Sequence, residues 1–294
     1  MATLPHIIYP TTLSNWSNLY FNFIMNNTVS ILGCGWLGLP LAEFLITKGY
    51  RVNGSTTSRD KLELLTSKGI RSFLIELNPL IKGDNIREYF NSEILVINIP
   101  PGGSDNKVSY HKKQVDSILE EAGKSSIRKI IFVSSTSVYG NNNREVTETD
   151  KLNPEKESGK ALKLVEEMLF KLESFDKTIL RFAGLIGSDR NPVKFFAGRK
   201  NIPGGSIPVN LIHRNDCINI IYEIITQNVW NEKFNACSDL HPSKREFYTA
   251  AALKFSLQKP DFIDTDDSYK IVNSAKLKKR LNYKFIYPDP LSML

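Results

Sequence analysis

Ser30-Ile31-Leu32-Gly33-Cys34-Gly35-Trp36-Leu37-Gly38 carries an apolar run into a G-x-G-x-x-G turn, and a segment with helical periodicity, Leu37–Lys48, follows at once. In that arrangement Gly33 permits the tight turn, Gly35 lets a ligand's phosphates approach the backbone, and Gly38 lets helix pack on strand. The helix N-terminus then offers unpaired N–H groups to an anion. Strand, turn and helix in this order predict a dinucleotide site, with Trp36 and Leu37 in its pyrophosphate loop. A second strand, Arg51–Ser55, begins just past Gly49, a helix stop. The competing reading is a glycine turn kept only for packing.

Working outward, apolar β-rich runs recur at Val29–Leu32, Arg51–Ser55, Arg71–Leu77, Ile94–Ile99, Lys129–Ser135, Lys177–Phe182 and Lys233–Cys237. Segments with apolar residues at three- and four-residue spacing separate them, at Leu37–Lys48, Arg59–Ser67, Val108–Ala122, Ser158–Leu172 and Asp216–Gln227. Alternation of this kind predicts an α/β fold with a doubly wound parallel sheet. Runs such as Ile94-Leu95-Val96-Ile97 suit strands covered on both faces. After Phe182 the pattern dissolves into Gly- and Pro-rich loops, Gly184 to Pro208. A capping box, Ser243 with Glu246, opens a helix through Phe255, and Asn273–Leu281 reads as a last short helix. The expected division is a dinucleotide-binding domain over 25–183 and a smaller interleaved lobe over 184–294, with 216–237 returning to the sheet. Residues 1–24 contain no Lys, Arg, Asp or Glu and no basic n-region. They read as a loosely held extension, or as sequence upstream of a start at Met25.

Composition narrows the function classes. No apolar run approaches the roughly 20 residues that span a bilayer. The three cysteines, Cys34, Cys217 and Cys237, are too few and too scattered for a disulfide framework, and the four histidines have no partner at ligand spacing, so no metal site is expected. Cytoplasm is the default location. The net charge of +7 is spread along the chain, with local clusters at Lys194–Lys200 and Lys276–Lys284. That distribution describes a solvated surface rather than a nucleic-acid interface. Cys34, inside the glycine loop, reads as a small buried filler; the alternative is a thiol whose pKa the helix N-terminus lowers.

The second strand bears on cofactor choice. Sites that prefer NAD place a carboxylate at its end, about 20 residues past the first glycine. Here Asn53-Gly54-Ser55-Thr56-Thr57-Ser58-Arg59 offers hydroxyls followed by a cation. Thr56, Thr57, Ser58 and Arg59 could hold a 2′-phosphate that a carboxylate would repel, so NADP is preferred to NAD. In the plain structural reading Ser58 caps the next helix and Arg59 is solvated.

Four stretches together resemble the extended short-chain dehydrogenase/reductases: the glycine loop, Phe132-Val133-Ser134-Ser135-Thr136-Ser137-Val138-Tyr139-Gly140, Leu180-Arg181-Phe182-Ala183-Gly184-Leu185-Ile186-Gly187, and Leu211-Ile212-His213-Arg214-Asn215-Asp216. The resemblance, to the NAD-dependent epimerase/dehydratase, nucleoside-diphosphate-sugar epimerase-like branch, runs from Thr28 to the C-terminus. It implies a Rossmann domain, with Ser135 hydrogen-bonded to the reacting oxygen. It places a lysine at Lys160, on the nicotinamide ribose, but Lys156 stands where the family has its catalytic tyrosine. That departure marks an atypical member. Two nearby ammonium groups would lower each other's pKa, making Lys156 a candidate acid or base, and Tyr139 is the other candidate proton donor. Pro100 and Pro101 take the position that borders the cofactor in relatives. Arg190, Lys194, Arg199, Lys200 and Arg214, with Phe195 and Phe196, fall in the substrate region and suit a nucleotide diphosphate. His213 and Asp216 read as turn and cap residues, and Glu166 and Glu167 as helix-surface residues.

The resulting expectation is an NADP-dependent oxidoreductase or epimerase acting on a small nucleotide-diphosphate-sugar-like substrate, with no nucleic-acid or membrane partner and a homodimer as the candidate assembly. The alternative is an NADP(H)-binding redox sensor without turnover.

Overall fold

The computed structural model describes residues 27–103, 106–187, 189–190 and 192–294; the expectation for residues 1–24 lies outside them. Its centre is an eight-stranded sheet whose strands, in chain order, are β1 (Thr28–Leu32), β2 (Arg51–Thr56), β3 (Arg71–Leu77), β4 (Ile81–Gly83), β5 (Ile94–Ile97), β6 (Lys129–Ser135), β8 (Asp176–Phe182) and β11 (Glu232–Ala236). Across the sheet they run β11-β8-β6-β5-β1-β2-β3-β4, all parallel except β4, which returns antiparallel to β3. The order reverses between β1 and β5. Val29 lies opposite Val52 on one side and Ile94 on the other, and a reversal of this kind opens a crevice at the carboxyl ends of the two strands. β1 and β5 are buried along their whole length, as continuous apolar runs covered on both faces should be.

Helices α1 (Gly38–Thr47), α2 (Asp60–Ser67), α4 (Lys107–Gly123), α5 (Glu157–Lys171) and α6 (Arg214–Thr226) fill the connections, with one turn, α3 (Ile86–Tyr89), before β5. Phe44 of α1 meets Tyr222 of α6 edge to face, with centroids 5.4 Å apart. Helix α6 starts two residues before the expected Asp216, since His213 Nδ1 accepts the N–H of Asn215 and makes the cap. Strand β5 stops two residues short of Ile99 because Asn98 turns inward to the glycine loop.

The smaller lobe gathers two-stranded parallel sheets, β9 (Gly184–Ile186) with β10 (Leu211–His213) and β7 (Arg144–Val146) with β12 (Lys270–Val272). It adds α7 (Lys244–Lys254), opened by the full Ser243–Glu246 capping box, and α8 (Ala275–Leu281). Its apolar centre includes Ile186, Leu211, Phe247 and Met293. Among the described residues no helix is long and apolar enough to cross a membrane.

Candidate functional site

Gly33 leaves β1 at φ +101°, and a Cβ there would lie 2.5 Å from the Asn98 carbonyl oxygen. The turn is braced from two sides. The Gly33 N–H donates to Ser55 Oγ at 3.0 Å, and Asn98 Nδ2 donates to the Gly33 carbonyl at 3.1 Å. Gly38 sits so close beneath that a Cβ would stand 2.1 Å from the same carbonyl, whereas one on Gly35 would meet nothing within 4 Å. Space is thus kept open above Gly35 alone. No side chain caps α1; the Leu39 N–H is taken by the Gly35 carbonyl at 3.0 Å and Pro40 has none, so the amide of Gly38, with those of the loop before it, is what this end offers an anion.

Above the loop lies a crevice of about 680 Å³, walled by Gly33 to Leu37, Ser55 to Thr57, Asn98 to Pro101 and Val133 to Ser135, within the range of small-molecule and cofactor sites. It brings together most of the residues expected to hold a cofactor: Gly33, Gly35, Trp36, Leu37, Thr56, Thr57, Pro100 and Pro101 line it. Ser58 and Arg59 do not. Arg59 lies on a separate shallow pocket with Arg71 and Glu88, and Ser58 makes no side-chain cap on α2, its N–H instead donating to Thr56 Oγ1 at 3.2 Å. The cation that lines the crevice with Thr56 and Thr57 is Lys61, two residues past Arg59, which the sequence pattern did not single out. Lys61 and Arg190 are the crevice's charged lining residues, and no carboxylate joins them among the described residues.

Ser135, at the end of β6, lines the crevice, its Oγ accepting the N–H of Ser137 at 3.1 Å. Helix α5 lies flush on this turn, since a Cβ on Gly159 would stand 2.4 Å from the Ser137 carbonyl. Lys156 and Lys160 are exposed at the start of α5, outside the crevice lining, and Lys160 Nζ pairs with Glu157 at 2.8 Å. Lys156 places its charge near another cation, Lys270. Burial lowers the Lys270 pKa, with Glu155 opposing and Lys156 adding to the shift, while its Nζ donates to the Tyr139 carbonyl at 3.1 Å.

Tyr139, expected as the alternative proton donor, is buried behind the crevice. Its hydroxyl donates to Asn235 Oδ1 at 2.8 Å and accepts from Arg181 Nη1 at 2.5 Å. Burial pushes this phenol up to about 12, against the pull of Arg181. Glu166, expected on the surface, forms the other half of this network: Arg181 donates to its carboxylate through Nε and Nη2, and Ser134 Oγ donates to it at 2.6 Å. Glu167 is exposed as expected.

The basic residues of the substrate region divide. Arg190 lines the crevice. Arg214 lies with its guanidinium carbon 4.7 Å from the Trp36 ring centre and is paired to Asp189 at 3.0 Å. Lys194, Arg199 and Lys200 are exposed and outside the crevice. Phe195 is 75 % exposed, while Phe196 packs against Tyr248 at 4.5 Å as part of the lobe's interior. Asp216 does not cap α6; it accepts from the Tyr283 hydroxyl and from the N–H groups of Ile286 and Tyr287, fastening the C-terminal tail. Burial lifts the Cys34 thiol to about 12, so no thiolate forms there near neutrality. Among the described residues no cluster of His, Cys, Asp or Glu could hold a metal ion.

No protein-family model matches the sequence. Protein YeeZ of Escherichia coli strain K12 is 36 % identical over 269 residues, covering 90 % of this chain and 98 % of YeeZ. Among solved structures, a short-chain dehydrogenase/reductase superfamily protein from Agrobacterium tumefaciens with bound NAD superimposes with a TM-score of 0.75 at 15 % identity, over 90 % of this chain and 94 % of that one. The UDP-glucose 4-epimerase of Thermotoga maritima with UDP-glucose gives 0.72 at 17 % identity, over 91 % and 96 %. The fold is therefore that of the epimerase-like short-chain dehydrogenase/reductases.

Proposed function

The chain belongs to the same family as Escherichia coli YeeZ, and from that membership and the crevice we propose an NADP(H)-dependent oxidoreductase or epimerase acting on a nucleotide-sugar-like substrate. One observation carries the cofactor half: among the described residues the crevice holds an open glycine loop, two cations and no carboxylate. Such a lining opposes none of the charge of a pyrophosphate and a 2′-phosphate. In this reading the amides of the glycine loop and Gly38 take the pyrophosphate, Thr56 and Thr57 offer hydroxyls to the 2′-phosphate, and Lys61 neutralises it. Pro100 and Pro101 form a stiff wall with few donors. When bound, the nicotinamide supplies hydride transfer. Ser135 orients the reacting oxygen by a hydrogen bond, and Lys156, exposed outside the crevice lining, would have to swing in to exchange a proton with it.

The titratable groups at Tyr139 and Lys160 have other partners, in Arg181 and Glu157. That favours a second reading, an NADP(H)-binding sensor without turnover. Titration of the purified chain, followed by Trp36 emission with Trp36→Phe as the control, tests both. NADPH should bind well ahead of NADH. Lys61→Ala should erase the difference by weakening NADPH about 10- to 100-fold, the loss of a charge-assisted contact, and Arg59→Ala should leave it intact. Equal affinities in the wild type defeat the NADP preference, and no binding defeats the cofactor assignment. Consumption of NADPH on addition of a keto nucleotide sugar, lost in Lys156→Ala, would select the enzyme over the sensor.

A further inference from the structure

The second cation of the crevice has a setting unlike that of Lys61. Arg190 follows β9 and is pinned by its N–H to the Gly187 carbonyl at 2.9 Å. Gly187 itself presses on the glycine loop, since a Cβ there would stand 2.8 Å from Trp36 Cζ2. The backbone of the smaller lobe therefore touches the pyrophosphate loop at this point. Asp189 could have neutralised Arg190, yet it is engaged elsewhere: it accepts from Trp36 Nε1 at 3.0 Å and from Arg214 Nη1 at 3.0 Å. Arg190 has no side-chain hydrogen bond or ion pair to a described residue; its guanidinium carbon lies 5.3 Å from the Trp36 ring centre, and it lines the same crevice as Gly35. A planar cation resting on an aromatic ring keeps its donors free for an oxyanion while losing little further freedom on binding.

We propose that Arg190 is a ligand of the dinucleotide's pyrophosphate, carried across the crevice by the loop after β9 and positioned by Trp36, and that it is not part of the nucleotide-sugar subsite. This rests on the cofactor reading above. Amides of the glycine loop and Gly38 approach the two phosphates from beneath, and Arg190 meets them from the facing wall. Trp36, Asp189 and Arg214 serve as the mount.

Calorimetric titration of the full chain tests this with three probes: NADPH, 2′-AMP, which has the adenosine 2′-phosphate but no pyrophosphate, and UDP-glucose. Arg190→Ala should weaken NADPH about 10- to 100-fold, leave 2′-AMP and UDP-glucose at their wild-type affinities, and leave the melting midpoint unchanged. Arg190→Lys, which keeps the charge without the fork, should recover part of the loss. Unchanged NADPH affinity in Arg190→Ala overturns the proposal while the cofactor reading stands. So does an equal weakening of NADPH and 2′-AMP, which would mean a disturbed crevice, or a loss confined to UDP-glucose, which would return Arg190 to the substrate. A wild-type chain that binds neither NADPH nor 2′-AMP removes the cofactor reading and this proposal together.

Discussion

Arg181 and Glu166 meet in the interior with side chains each 1 % exposed, joined at 2.6 Å. The pair is satisfied on every side by Ser134, Tyr139 and, through Tyr139, Asn235. Two ions so deep hold together only because each is hydrogen-bonded to the other and to its neighbours; removing one partner strands the other. Glu166→Ala should therefore lower stability by about 3–5 kcal/mol, seen as a lower urea midpoint with an unchanged slope. The paired replacement Glu166→Leu with Arg181→Met should regain most of it. If Glu166→Ala unfolds at the wild-type midpoint, the buried pair is not an ion pair in solution. The sequence did hold a signal for Glu166: it continues the stripe Leu162, Val165, Leu169 at helical spacing, so it lies on the inward face of α5, whereas its neighbour Glu167 is turned about 100° away. Residue type favoured the surface, and the partner that reverses that preference comes from a strand 15 positions later.

At the junction of β1 and α1, three glycines of one motif do different work, and substitution separates them. Gly38→Ala drives a Cβ against the Gly33 carbonyl and should cost about 1–3 kcal/mol in overpacking, read as a lower melting midpoint without any ligand. Gly35→Ala meets open space, so the protein should melt as the wild type does while NADPH affinity falls at least about tenfold, the added methyl standing where phosphates approach the backbone. Normal NADPH binding by Gly35→Ala would mean that the loop serves packing alone. This junction was legible because strand, turn and helix are each local, as were the other long strands; Arg71–Leu77 and Lys129–Ser135 end where their apolar patterns end. β4, β7, β9, β10 and β12, three residues each, were not legible: a period of two cannot be recognised in so short a run, and their partners are set by tertiary contact. At the candidate site the same limit displaced the cation. Arg59 directly follows the hydroxyl run, but the first turn of α2 carries Arg59 away from the crevice and brings Lys61 round to it.

Taken whole, the molecule buries titrating groups both inside the main domain and where the C-terminal tail packs. His213 packs at a tilt on Tyr287 of the C-terminal tail, with ring centres 4.0 Å apart, next to Asp216, which binds the tail's amides. His111 lies buried within the main domain, Nδ1 against Gln114 Oε1 at 3.2 Å and Nε2 without a partner among the described residues. Burial holds the pKa of His111, His213 and His241 below the ordinary 6.5. For such groups the folded state stays neutral while the unfolded chain takes up protons. Their contribution is thus complete above about pH 6.5 and drains away as the pH falls from there through the lowered folded values, each by at most about 1.4 kcal/mol per pH unit. Asp216 works in the opposite sense. Burial raises its pKa above 3.8, so its charge costs stability at neutral pH, and protonation relieves that cost at lower pH. The urea midpoint should therefore be level from pH 8 to 7 and decline between pH 6.5 and 5. His111→Leu should make the decline shallower by up to one proton's worth, because Asp216, His213 and His241 contribute equally to both curves and cancel in the difference. An identical slope in His111→Leu would show that His111 takes up its proton as readily in the folded chain as in the unfolded one.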